Sequence, residues 1–209
     1  RLAAAYAGEG VNDANYEMEF LETGKRKLSE LYEFIKNGHN KGRTELNAVD
    51  RWFESKINTA IKNTTEALES MLFKSAVQYS LMDMTRHLKT YLRRTNNKPN
   101  KRLISLFSEA LLKMLTPVTP HFCEEAWEAI GRQGFISTQS WPEYEEEKID
   151  KEAEAIEQLV HDTLSDFETV LKLARIEKPK EVVLAVATNW KYELFRILKE
   201  EIKKTRDQR

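Results

Sequence analysis

NAVDRWFESKINTAIKNTTEALES, residues Asn47–Ser70, decides how the rest of the chain is read. Val49, Trp52, Phe53, Ile57, Ala60, Ile61, Thr64 and Leu68 recur at the three- and four-residue steps that place them on one side of an α-helix. Neither Gly nor Pro interrupts the run. An amphipathic helix cannot bury its stripe alone, so further helices must cover it.

Such helices lie on both sides. Residues 11–38 carry Phe20, Leu21, Leu28, Leu31, Tyr32 and Ile35 near helical spacing, with Asn12 or Asp13 able to cap and Gly38 as a stop. A polar loop, HNKGRTEL, joins them to the decisive stretch. Residues 73–94 predict one further helix through Phe73, Val77, Leu81, Met84, Leu88 and Leu92. After NNKPN, with Asn100 or Lys101 opening the next element, Leu103, Leu106, Phe107, Leu111 and Leu115 share a face, and Pro117 ends it. A short helix follows from Pro120 to Gly131, then an irregular connection that Trp141 can tack down. A long helix after Ile149 carries Ile156, Leu159, Val160, Leu164, Phe167, Leu171 and Leu173. Val182–Ala187 is a β-branched run and the one strong strand signal, with a last helix after it.

Composition agrees. Among 209 residues there are 41% hydrophobic and 32% charged side chains but only 7 Gly and 5 Pro, too few for an all-β fold with many tight turns. The expected fold is mainly all-α, an antiparallel helical bundle, followed by a partial small α/β segment. A lone strand needs a ladder partner. That need, and a beginning (RLAAAYAG) that reads as the end of a helix, predict a piece of a longer protein trimmed at both ends. The apolar runs are too short to span a membrane, and the start lacks a signal-peptide core. A single cysteine, Cys123, cannot form an internal disulfide and fits a reducing cytoplasm.

Two constellations carry possible chemistry. His121, Cys123, Glu124 and Glu125 could be metal ligands or a nucleophile with its base. Zinc sites, however, want four ligands on two segments, and His39, His87 and His161 are scattered singly. The alternative is helix-start chemistry: Thr119 as N-cap, Pro120 as the first helical residue, the glutamates near the positive helix end, and Cys123 packed inward with Trp127 and Ile130. The second constellation is charge. Arg86, Lys89, Arg93, Arg94, Lys98, Lys101 and Arg102 occur in 17 residues without an acid, hidden by a net charge of -1. They are either a solvated face or a set of phosphate contacts; Lys41 and Arg43 in the polar loop are weaker candidates for the same role. The acidic run Glu143–Glu157 reads as solvated residues complementing a helix dipole. Tyr91, inside the basic run, could stack or bond there or belong to the core.

The order and wording of these segments resemble one family. LLKMLTPVTPHFCEEAWEAIG is similar to the L-x-P-x-x-P-H-x-x-E-E-x-W signature of class I aminoacyl-tRNA synthetases of the leucine/isoleucine/valine/methionine group. LAAAYAGEGVNDANYEMEF resembles the segment after that group's Lys-Met-Ser-Lys-Ser loop, and residues 51–94 resemble its anticodon-binding bundle. Within the group, archaeal or eukaryotic leucyl enzymes look most alike. The resemblance implies residues 1–10 as the end of a catalytic-domain linker, 11–178 as the anticodon-binding bundle and 179–209 as the start of a truncated C-terminal domain. It implies a tRNA-binding part of a leucine–tRNA ligase, inactive alone, cytoplasmic and monomeric. tRNA and the catalytic domain of the same chain would be its partners. ATP and Mg2+ would belong to the whole enzyme and no cofactor to this part. The same domain of an isoleucyl, valyl or methionyl enzyme and a helical protein-binding adaptor are the alternatives. Leucyl enzymes are expected to grip tRNA shape and backbone more than anticodon bases, which suits a basic edge without stacking platforms.

Overall fold

The computed structural model of the chain describes residues 1–10 and 18–206; the cap expected at Asn12 or Asp13 lies outside them. The described regular structure is helical: α1 (Leu2–Ala7), α2 (Met18–Gly38), α3 (Ala48–Glu69), α4 (Phe73–Val77), α5 (Met84–Arg94), α6 (Lys101–Leu115), α7 (Pro120–Ala129), α8 (Lys151–Ala174) and α9 (Asn189–Arg206). A π-helical turn spans Gln78–Asp83, and 3-10 turns span Ile136–Thr138 and Glu146–Lys148. Among the described residues no helix is long and apolar enough to cross a membrane.

Arg1–His161 and Asp162–Arg209 form two compact units. In the first, α3 is central and packs against α4, α5, α6 and the π turn. Its start is fixed by a capping box: Asp50 N–H donates to Asn47 Oδ1 at 3.1 Å, and Asn47 N–H donates to Asp50 Oδ2 at 2.7 Å. Phe53 stacks on Tyr91 of α5 with ring centres 4.1 Å apart and lies 5.8 Å from Phe107 of α6. Ile57, Ile61, Leu81, Met84, Leu103 and Leu111 close the core around these rings. Each such side chain contributes about 1.5–3 kcal/mol by leaving water. α3 also buries Ser55 and Asn58, outside its apolar stripe, and each has a partner. Ser55 Oγ donates to Glu154 at 2.6 Å, and Asn58 Oδ1 accepts Glu145 N–H at 2.8 Å. Trp141 Nε1 donates to Thr65 at 2.8 Å, which fastens the irregular connection.

Three expectations are corrected. The helix expected over 73–94 is interrupted by the π turn, where Gln78 donates to Asp83 at 2.9 Å and accepts from the Tyr6 hydroxyl at 2.7 Å. The stripe expected on α8 is not a core face. Ile156, Leu159, Leu164 and Leu173 are exposed, and Ala153 is its buried residue. Periodicity announces a helix but not a neighbour, and in the first unit α8 is held by polar side chains. Finally, the partial α/β segment is not formed. Val182–Ala187 runs without ladder bonds, Val183 is 81% exposed, and the β pairing among the described residues is the isolated bridge Arg43–Asn100. A β-branched run is only a propensity; without a partner strand it makes no sheet.

Candidate nucleic-acid interface

The basic run falls where α5 hands over to α6, and a polar network makes that corner rigid. Thr95 closes α5, and Asn96 and Asn97 take left-handed φ of 51° and 56°, a conformation asparagine tolerates. Asn100 then caps α6, accepting Arg102 N–H at 3.0 Å and Leu103 N–H at 3.4 Å. The loop before α3 is bound to the same place: Arg43 N–H donates to Pro99 O at 3.0 Å, and Lys101 N–H donates to Arg43 O at 2.9 Å. Gly42 makes this approach possible. Its φ is +129°, and a Cβ there would stand 2.3 Å from Pro99 O.

Beneath the loop sits a buried carboxylate. Asp50 accepts the Arg43 guanidinium through two bonds of 2.7 and 2.6 Å and the Tyr91 hydroxyl at 2.6 Å, while Tyr91 accepts Asn100 N–H at 2.8 Å. Burial alone would raise the Asp50 pKa, but donation from Arg43, Tyr91 and the Asn47 backbone holds it below the usual carboxylate value. Burial, then the bond to Asp50, pushes the Tyr91 pKa up. Tyr91 therefore belongs to the frame and is not an RNA platform.

The expected contact residues separate into groups. Lys41, Lys89, Arg93, Lys98 and Lys101 are exposed and make no ion pair with the described residues. Arg94 grips Glu157 at 3.0 and 2.9 Å, and Arg102 grips Glu54 at 2.9 and 2.7 Å. Arg86 pairs with Asp83 at 3.0 Å. Arg43 is half-buried in the frame and also donates to Lys98 O at 2.9 Å. The acidic run is not merely solvated. Glu146 meets Lys62 at 3.0 Å, Asp150 meets Arg51 at 3.8 Å and Glu154 meets Lys56 at 2.8 Å, so the acidic block partly neutralises cations of α3. Arg26 and Lys27 of α2, which line a groove with Lys89, escaped the sequence reading. GKRK at residues 24–27 is the signal that could have found them.

The His121–Glu125 constellation does not converge. Cys123 is fully buried, its Sγ 3.6 Å from Thr119 Oγ1, and burial pushes its pKa up to about 11. His121 and Glu125 are exposed. Among the described residues no group of three or more His, Cys, Asp or Glu is placed to hold a metal. Thr119 does occupy the N-cap position before Pro120, but its hydroxyl makes no capping bond. Glu124 accepts Ile136 N–H at 2.8 Å, Ser137 N–H at 3.2 Å and Ser137 Oγ at 2.8 Å, thereby tying down the turn after α7.

Residues 50–187 match the family model described as the anticodon-binding domain of tRNA ligase. Among curated relatives, the leucine–tRNA ligase of Aeropyrum pernix is 39% identical over 90% of this chain and 20% of its own length. That of Methanocaldococcus jannaschii is 35% identical over 98% of this chain and 22% of its own length. The chain thus spans about one fifth of the relatives it matches. A crystal structure of a LeuRS–tRNA–LeuAMS ternary complex from Agrobacterium radiobacter K84 has a similar fold, with a TM-score of 0.56 and 19% identity over 72% of this chain and 20% of that one.

Proposed function

Since the chain belongs to the family of tRNA-ligase anticodon-binding domains, we propose that it is the tRNA-holding part of a leucine–tRNA ligase. The observation that carries this reading is the corner at which Arg93, Lys98 and Lys101, exposed and unpaired among the described residues, stand on a frame locked by Asp50 and Asn100. A rigid frame fixes where positive charge is presented, and backbone phosphate responds to position of charge. Lys41 lies on the pinned loop of the same corner, and Lys89 extends the charge one helical turn back along α5.

In the whole enzyme this part, centred on residues 11–178, would hold the tRNA while a catalytic domain of the same protein activates leucine with ATP and Mg2+. None of the side chains described above is assigned to ATP, leucine or metal. A monomeric enzyme of the cytoplasm fits this reading. The chain alone is then inactive, and detectable leucylation by it would refute the division of labour.

The direct test is binding of transcribed leucine tRNA by fluorescence anisotropy as salt is varied. The four cations of the corner itself, Lys41, Arg93, Lys98 and Lys101, predict micromolar or weaker binding that falls about 100-fold between 50 and 200 mM salt. Lys98→Glu with Lys101→Glu is expected to weaken binding at least tenfold and flatten the salt slope by about two. Unchanged binding in that double variant sinks the corner assignment; no tRNA binding at any salt sinks the function.

A further inference from the structure

A groove of about 300 Å3 runs between α2 and α5. Leu31, Phe34, Leu88 and Leu92 make its apolar side, Arg26, Lys27 and Lys89 bring three positive charges to it, and Glu30, 4.0 Å from Arg26, brings one negative charge. Lys27 is half-buried, yet neither it nor Lys89 makes an ion pair or hydrogen bond with the described residues. Burial, then the neighbouring Lys89 ammonium, holds the Lys27 pKa below its usual value; Glu30 opposes the shift and Arg26 adds to it.

Several other partly buried cations of the same unit have a carboxylate partner. Lys56 has Glu154, Lys62 has Glu146 and Arg43 has Asp50. At Lys27 the fold instead sets two ammonium groups within electrostatic reach of each other beside apolar side chains. That placement costs stability through both repulsion and desolvation. An anion held between the two would offset the repulsion and compensate the desolvated ammonium group. Lys89 lies four residues before Arg93 and three after Arg86 on α5, so the groove continues the cationic face that leads to the corner.

We infer that the α2–α5 groove is a second phosphate site for bound RNA, receiving one backbone phosphate between Lys27 and Lys89 with Arg26 beside it. The inference rests on the RNA-binding reading proposed above. Compact ammonium groups on flexible stems can close on a phosphate from either side, and the apolar side chains exclude water from the contact.

The test uses the same tRNA titrations on the 209-residue chain. Lys27→Gln and Lys89→Gln are each expected to weaken binding about three- to tenfold and to reduce the salt slope by about one, while Lys27→Arg stays close to wild type. Lys27→Met adds a readout that a structural lysine would not give: relief of the repelled, half-buried charge raises the melting temperature while tRNA affinity falls. If Lys27→Gln and Lys89→Gln bind with unchanged affinity and slope while the Lys98→Glu, Lys101→Glu variant fails, the groove is overturned and the corner stands. Weaker binding with an unchanged slope also overturns it, because no phosphate contact was removed. If the wild-type chain binds no tRNA, groove and function fall together.

Discussion

Tyr91→Phe isolates the frame from the charges it carries. The substitution keeps the ring, and with it the 4.1 Å stack on Phe53, and removes only the hydroxyl. That oxygen donates to Asp50 at 2.6 Å and accepts Asn100 N–H at 2.8 Å, and Tyr91, Asp50 and Asn100 are all buried. The variant leaves one buried carboxylate short of a donor and one buried N–H without its acceptor. Each defect costs about 1–3 kcal/mol, so the pair should cost about 2–4 kcal/mol once local relaxation is allowed. For a chain of this size the melting temperature should fall by roughly 5–15 °C. The pH dependence supplies a second signature. The folded pKa of Asp50 lies below its unfolded value, so its stabilisation is complete above the unfolded value near 3.9 and is lost as pH falls through the folded pKa. Losing one donor moves the folded pKa back up. The gap between wild type and variant should therefore be widest at neutral pH and narrow through the acid range. Thermal unfolding followed by circular dichroism at a series of pH values measures both. A loss under 2 °C at pH 7, or a gap that stays constant into acid, would refute the account of Asp50 as a donor-saturated hub.

Two further outcomes follow from the same geometry. Gly42→Ala should cost about 1–3 kcal/mol, because φ of +129° and the clash with Pro99 O both resist a side chain; faster hydrogen exchange across residues 40–46 is the measurement, and unchanged exchange would show that the loop is not pinned there. Cys123, buried and with a thiol pKa of about 11, should react with an aromatic disulfide reagent at pH 8 only at the rate of global unfolding, so rapid labelling of the folded chain would contradict its place in the core.

The bundle was legible wherever the apolar period and the burial agree. Phe53, Ile57 and Ile61 of α3, and Leu103, Phe107 and Leu111 of α6, lie where their spacing puts them. What could not be read is pairing at a distance. Glu154 finds Ser55 and Lys56 across 99 and 98 residues of sequence, and no local pattern says that an acidic helix start will lie against those two. The same blindness affected the interface. The excess of cations around Arg93 is plain in the sequence, but the occupation of Arg94 by Glu157 and of Arg102 by Glu54 is not. Lys27 escaped notice because its significance comes from Lys89, which only the groove shared by α2 and α5 brings near. Val182–Ala187 failed in the opposite direction: its local propensity is strong, and no strand in the described structure answers it.

The division of labour between the two basic side chains sharpens what the corner can recognise. Arg43, Arg94 and Arg102 each spend their planar fork on a carboxylate, Asp50, Glu157 and Glu54, with two bonds apiece. Lys41, Lys89, Lys98 and Lys101 remain open, joined by one arginine, Arg93. A guanidinium held by two bonds is directional and specifies one geometry, which is useful for locking loops and helix ends. An ammonium is a compact charge on a flexible stem and tolerates many approach angles. The corner therefore combines a rigid frame with adaptable charges. Reading a base edge calls for the reverse, a fixed fork aimed at the base or an exposed ring to stack on it. Here the forks of Arg43, Arg94 and Arg102 are engaged, and Tyr91, the tyrosine within the basic run, is fully buried. On the tRNA-holding role proposed above, such a surface would respond to where phosphates lie and be nearly indifferent to which bases they join. The Glu157 and Glu54 carboxylates are only 10% and 14% exposed, so a phosphate that drew Arg94 or Arg102 away would leave a largely buried carboxylate unpaired; these forks therefore stay with the frame beside the buried Arg43–Asp50 lock, and the open ammonium groups are the ones free to move.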